Sequence, residues 1–166
     1  MIIVVMGVTG VGKTTIGSAL ALKLGCDFKD ADAYHSAANI EKMSHGIPLT
    51  DADRIPWLEA MRAVLGSYAA DDQGVVLACS ALRESYRAIL GKDLILTWIY
   101  LKASADVICQ RIEHRHGHFA KEDLLKSQFD TLEEPRDVIV VNAEPPEDQV
   151  VAEAMSKLTA QQQVSQ

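Results

Sequence analysis

The residues Gly7-Val8-Thr9-Gly10-Val11-Gly12-Lys13-Thr14 satisfy the pattern G-x-x-x-x-G-K-[ST]. Such a loop suits phosphate chemistry. Its glycines let backbone N–H groups turn inward around phosphate oxygens, and the helix that follows presents its positive dipole end. The expected nucleotide contacts are Gly7, Val8, Thr9, Gly10, Val11, Gly12, Lys13, Thr14 and Thr15. Lys13 should reach the β and γ phosphates of ATP, and the Thr14 hydroxyl should coordinate Mg²⁺. A glycine turn that merely joins strand to helix has no need of Gly, Lys and Thr together.

A second chemical segment is Asp30-Ala31-Asp32-Ala33-Tyr34-His35. Carboxylates at i and i+2 on an extended chain would point the same way. Asp30 could then approach the water shell of Mg²⁺ while Asp32 accepts a proton from an attacking hydroxyl. The same residues equally fit an acidic turn that caps the next helix. Basic residues recur downstream in an otherwise acidic chain. Arg54 follows Asp51-x-Asp53 at the opening of a helix, and Arg83 and Arg87 follow an apolar run. Both groups can face one sheet edge, where Arg54, helped by Arg83, could hold a substrate carboxylate. Arg111 and Arg115 share a helix face, and the basic segment 111–126 around Gly117 has the character of a lid that folds over ATP.

Elements that could position these groups are legible in the hydrophobic pattern. Apolar runs at Ile2 to Met6, Val75 to Cys79, Leu94 to Leu101 and Val138 to Val141 read as strands buried on both faces, and a further short strand ends near Asp30. Helical stretches are Thr14 to Leu24, Arg54 to Ala70, Ala81 to Leu90, Ala105 to Arg115, Lys121 to Thr131 and Pro146 to Ala160. The segment between His35 and Arg54 reads as polar and turn-rich. Alternation of strand and helix predicts an α/β fold of three layers: a five-stranded parallel sheet with helices on both faces, plus the lid. We expect one phosphate-loop domain over 1–160 and a frayed tail over 161–166.

Composition narrows the possible partners. A net charge of −7 in 166 residues disfavours sequence-independent nucleic-acid binding, and no apolar run approaches the length of a membrane span. Three widely spaced cysteines, Cys26, Cys79 and Cys109, suit a reducing compartment, so a cytoplasmic location is expected. Cys79 reads as a buried small hydrophobe, and Trp57 and Trp98 as packing residues.

Beyond the phosphate loop, the chain carries Asp30-x-Asp32-x-x-His35, Asn39-Ile40-x-Lys42-Met43, Pro48-Leu49-x-Asp51-x-Asp53-Arg54-x-x-Trp57-Leu58, Cys79-Ser80-Ala81-Leu82-Arg83-x-x-Tyr86-Arg87, Gly117-His118-Phe119 and Gln128-Phe129-x-x-Leu132-Glu133-x-Pro135. With these it resembles the bacterial-type gluconokinases, P-loop kinases related in fold to shikimate and nucleoside monophosphate kinases. The resemblance implies ATP-dependent phosphorylation of D-gluconate to 6-phosphogluconate, with Mg²⁺, by a homodimer. It also implies catalytic roles for Lys13, Asp32 and Arg115, an ATP contact for Arg111, and substrate contacts for Asp32, His35, Arg54 and Arg83. Thr14 would bind the metal directly and Asp30 through water. Two positions depart from the family pattern: Ala31 stands where Gly is more usual, and Ser36 where Pro is. Ala31 is expected to restrict its turn and Ser36 to loosen the chain entering the acceptor site.

Rival readings weaken on the same residues. A guanine-specific switch would carry N-K-x-D, which is absent, and Asp71-Asp72-Gln73-Gly74 precedes a strand instead of following one, as a solvated turn does. His114, His116 and His118 with Cys109 lack the ligand spacing of a zinc site. A kinase of shikimate or another small hydroxy acid shares the phosphate loop but not the acceptor segment. A nucleotide-binding regulatory module would have no use for its carboxylates.

Overall fold

The computed structural model describes the backbone of residues 1–115 and 120–164, and the side chains of 1–112 and 125–163. Among the described residues there are five strands: β1 (Ile2–Met6), β2 (Asp27–Asp30), β3 (Val75–Ala78), β4 (Leu96–Lys102) and β5 (Ile139–Asn142). They pair in parallel in the order β2-β3-β1-β4-β5. Parallel neighbours cannot be joined by a tight turn, so each connection runs over a face of the sheet through helix. The helices are α1 (Lys13–Leu24), α2 (Ala37–Ser44), α3 (Asp51–Ala70), α4 (Glu84–Gly91), α5 (Ala105–Arg115), α6 (Ala120–Thr131) and α7 (Glu147–Val164).

Central β1 shows why two helical layers are needed. Successive side chains of a strand point to opposite faces. Accordingly Ile3 and Val5 join a core with Leu20, Ile108 and Val150, while Ile2, Val4 and Met6 join another with Leu58, Leu65 and Leu90. All five β1 residues are buried. The charged β2 is tolerated because it lies at the sheet edge, where it is only half-buried. After β1 the chain builds the β3 side and later crosses to the β4 side. The crevice beyond the carboxyl end of β1 is therefore the topological switch point at which such sheets bind ligands.

The elements depart from expectation mainly between β2 and α4. The stretch read as turn-rich contains α2, and α3 begins at Asp51. Thr50 and Asp53 form a reciprocal capping box there: Asp53 N–H donates to Thr50 Oγ1 at 3.3 Å, and Thr50 N–H donates to Asp53 Oδ2 at 2.9 Å. Ser36 does not loosen its segment. It caps α2, its hydroxyl oxygen accepting from Asn39 N–H at 3.1 Å. Nor does Ala31 meet a conformational barrier, because it is not among the positive-φ residues and its methyl is fully buried. Helix α4 starts at Glu84 instead of Ala81, which sits at φ 43 and so outside helical space. Arg87 Nη1 donates to the carbonyls of Ala81 and Leu82 at 3.0 and 3.1 Å and holds that turn. At the other end of the chain, α7 continues through Val164, past the expected limit at Ala160.

Candidate active site

The loop between β1 and α1 is shaped by glycine. Gly12, at φ 103, occupies the N-cap position of α1 and sends the backbone into the helix through a left-handed turn. Gly10, at φ 83, lies so close to α5 that an added Cβ would approach Ile112 Cδ1 to 2.8 Å. Helix α5, which carries Arg111 and Arg115, therefore rests directly on the phosphate loop. Val8 and Val11 are buried, so any nucleotide contact they make is through backbone. Lys13 Nζ donates to Val8 O at 3.0 Å. Burial lowers the Lys13 pKa, and the neighbouring Asp32, Cys79 and Asp30 oppose that shift. Burial, chiefly, pushes the Cys79 thiol up to about 12, so it is protonated and serves as packing.

At the end of β2 the two aspartates take different roles. Asp30 Oδ2 accepts from Thr14 Oγ1 at 2.7 Å, and Asp30 Oδ1 accepts from Asp32 N–H at 3.0 Å. Asp32 is not on an extended strand beside Asp30, as the i, i+2 spacing suggested. It belongs to a single 3₁₀ turn (Ala31–Tyr34) that Asp30 caps. One oxygen of Asp30 thus caps this turn while the other meets Thr14. The Asp32 side chain is 88% exposed and stands 3.9 Å from His35 Nε2.

His35 leads into the acceptor side. Its ring stacks on Trp57 with centroids 4.4 Å apart, and Trp57 Nε1 donates to Ala31 O at 2.8 Å. Burial lowers the His35 pKa, partly opposed by Asp32 and reinforced by Arg54, so the ring is neutral at pH 7. Buried Asn39 donates to Asp53 O at 3.0 Å, and Lys42 pairs with Asp53 at 2.7 Å. The next residue of α3, Arg54, lies 5.7 Å from the Tyr86 ring centroid, with Arg83 at 5.8 Å from the same ring. Arg83 is committed to Asp51 at 3.2 Å, whereas the hydrogen-bond partner of Arg54 is the Tyr86 hydroxyl at 3.5 Å. Tyr86 itself donates to Asp51.

The structure thus brings Lys13, Thr14, Asp30 and Asp32 together and continues through His35 to Arg54 and Arg83. Arg111 stands elsewhere on the same edge, Nη2 donating to Glu144 O at 2.9 Å in the loop after β5. The side chains of His114 and Arg115 and residues 116–119 of the expected lid, with His116 and His118, lie outside the described residues. Among the described residues no group of three His, Cys, Asp or Glu is placed to hold a metal. Three contacts escaped the sequence reading: the Trp57–His35 stack, the Tyr86–Asp51 bond, and Gln128 Oε1 accepting from Thr9 N–H at 3.1 Å. Trp57 and Tyr86 stood in recognised motifs, but only folding shows what they touch. A cleft of about 450 Å³ lies between α6 and the start of α4, lined by Arg83, Lys126, Ser127, Asp130, Thr131 and Glu133. It meets the cluster around Tyr86 only at Arg83, and Lys13, Thr14, Asp30 and Asp32 do not line it.

Known proteins resemble this chain in sequence and in fold. The shikimate kinase family profile matches residues 9–159. Gluconokinase of Gluconobacter oxydans is 45% identical over 163 residues, spanning 96% of this chain and 92% of that protein. A gluconokinase structure from Sinorhizobium meliloti superposes with a TM-score of 0.82 at 42% identity, covering 95% of this chain and 91% of that one. An unliganded sugar kinase from Janibacter sp. gives a TM-score of 0.85 at 40% identity, covering 95% and 94%.

Proposed function

Because the chain belongs to the gluconokinases, within the wider shikimate kinase-type family of P-loop kinases, we infer that it transfers the γ-phosphoryl group of ATP to gluconate and releases ADP. What carries the reading at this site is the unbroken run of side chains from the phosphate loop to a basic acceptor cluster. Asp32 is near enough to oppose the burial shift of Lys13 and stands 3.9 Å from His35, which in turn feels Arg54. A shikimate-type acceptor or a regulatory module finds no comparable support.

In this reading Lys13 and the inward N–H groups of the loop hold the β and γ phosphates. Thr14 Oγ1 and Asp30 Oδ2, hard oxygens 2.7 Å apart, suit the preference of Mg²⁺ for oxygen ligands and retained water. Thr14 would hold that ion directly and Asp30 through water, and when bound it would neutralise charge on the phosphates. Asp32 orients the terminal hydroxyl of gluconate and takes its proton as the oxygen attacks phosphorus, giving 6-phosphogluconate. Because the transition state for phosphoryl transfer is loose, alignment by Asp32 and His35 matters more than base strength. Arg54 holds the gluconate carboxylate. Its guanidinium makes one long bond, whereas Arg83 is already paired, so Arg54 is the better carboxylate ligand.

Arg111 and Arg115 close over the phosphates in a lid spanning 111–126. Residues 1–160 act as one kinase domain, as a homodimer. A cytoplasmic location accords with free Cys26, Cys79 and Cys109, and no helix among the described residues is long and apolar enough to cross a membrane. The test is a coupled assay with ATP and a panel of aldonates, shikimate, glucose and nucleoside monophosphates, with phosphorus NMR of the product. Preference for gluconate with phosphate on the terminal carbon is expected. A faster reaction with shikimate or a nucleotide would overturn the reading.

A further inference from the structure

Gln128 lies far along the chain from the phosphate loop, yet its carboxamide sits on the loop's apex. Gln128 Oε1 accepts from Thr9 N–H at 3.1 Å and from Thr9 Oγ1 at 3.2 Å. The orientation of the amide follows from chemistry, since a backbone N–H only donates and so must face the oxygen. Its placement is no accident of a loose side chain. Leu125, one turn earlier on α6, is buried in the core, and Phe129 and Leu132 pack against it. The core-facing side of α6 therefore delivers Gln128 to Thr9.

Thr9 immediately precedes Gly10, the residue over which α5 is packed, and lies between buried Val8 and the N–H groups expected to face phosphate. With its N–H turned to Gln128, Thr9 serves the loop's shape, and the phosphate-facing donors begin after it. We propose that Gln128 is a positioning residue for phosphoryl transfer: by accepting from both Thr9 donors it sets the apex of the phosphate loop and couples α6 to nucleotide occupancy. This rests on the kinase reading above. The coupling runs both ways. A nucleotide that tightens the loop also holds α6, and loss of the Gln128 contact frees the apex to adopt arrangements in which the γ phosphate is misplaced.

Gln128→Met keeps length and helix propensity but cannot accept the two bonds, and Gln128→Glu keeps acceptor oxygens. In Gln128→Met, kcat for gluconate should fall about tenfold or more, because small misplacements of reacting groups are costly, while KM for gluconate stays within about twofold. The unfolding midpoint should shift by only a few degrees. Amide hydrogen exchange at Thr9, read by NMR in the nucleotide-free enzyme, should be slow in wild type, faster in Gln128→Met and slow again in Gln128→Glu. A non-hydrolysable ATP analogue, titrated without gluconate, should bind Gln128→Met several-fold more weakly. The proposal is overturned if Gln128→Met retains kcat and analogue affinity within about twofold, or if Thr9 exchange is unchanged by it. Failure of wild type to phosphorylate gluconate would sink the acceptor assignment alone. Analogue binding and Thr9 exchange would still decide the role of Gln128.

Discussion

Replacing Arg54 with alanine tests how the enzyme tells an acidic sugar from a neutral one. The guanidinium is half-buried on the first turns of α3, near the Tyr86 ring, with a hydrogen bond of 3.5 Å to the Tyr86 hydroxyl. That bond is at the edge of useful geometry, so its loss should cost little stability. A carboxylate of gluconate would supply a charge-assisted bond, worth about 1.5–3 kcal/mol where water is partly excluded. Arg54→Ala should therefore lower kcat/KM for gluconate by about tenfold to a hundredfold, mostly through KM, with ATP affinity nearly unchanged. Arg54→Lys should recover only part of the loss, since it keeps the charge and loses the fork. Arg83, already paired with Asp51 at 3.2 Å, should give a smaller effect on truncation. The measurement is the gluconate-to-glucose ratio of kcat/KM in wild type and mutant. An unchanged ratio, or a mutant impaired in ATP binding instead, would refute the assignment of the carboxylate to Arg54.

Lys13→Met, which preserves the aliphatic stem and removes the charge aimed at the phosphates, should leave thermal unfolding nearly intact and lower kcat by about 10²-fold or more; retention of a tenth of wild-type kcat would contradict its role. Asp32→Asn should keep ATP binding and lose most of kcat, and a mutant within about threefold of wild type would remove Asp32 from both orienting and proton transfer. The hydrogen bond from Lys42, aided by those from Thr50, lowers the Asp53 pKa from 3.8 to about 2. This pair's stabilisation is present above the unfolded value and lost as pH falls from 3.8 towards 2, so Lys42→Met should flatten the acid limb of the stability curve there; an unchanged limb would discount the pair. His35 has the opposite charge type with the same slope. Its lowered pKa disfavours the folded state once the unfolded ring protonates, so stability should decline as pH falls through 6.5, and His35→Gln should remove that component from urea midpoints measured against pH.

Much of the catalytic edge could be read before any coordinates, because its parts are local. A phosphate loop needs its glycines, Lys13 and Thr14 within one turn between strand and helix, and those constraints are written in consecutive residues. The inner strands are legible for a related reason, whereas β5, an edge strand, alternates buried and exposed residues and is covered on one face only. Ile2–Met6 and Val75–Ala78 are continuous apolar runs, which only a doubly covered parallel strand requires. The segment from Ser36 to Asp53 resists such reading because its polar residues are also common turn formers. Ser36 and the Thr50–Asp53 pair are instead helix caps, a signal present in the sequence and overlooked.

Local order along the chain was enough to set the fold class, the glycine loop between β1 and α1 and the kinds of side chain along the sheet's carboxyl edge. The pairings across the chain were decided only by tertiary packing. Nothing in spacing puts Gln128 on Thr9, Tyr86 on Asp51, or Trp57 Nε1 on Ala31 O: the first two contacts join residues from different crossovers of the sheet, and the third links two parts of the long β2-to-β3 crossover. The division between Arg54 and Arg83 has the same origin. Both are arginines near the same edge, and only the approach of Asp51 to Arg83 leaves Arg54 as the less committed charge. Hydrogen bonds and ion pairs between distant segments depend on how the helices settle on the sheet. Their identity follows from the packed core, and no reading of neighbouring residues contains it.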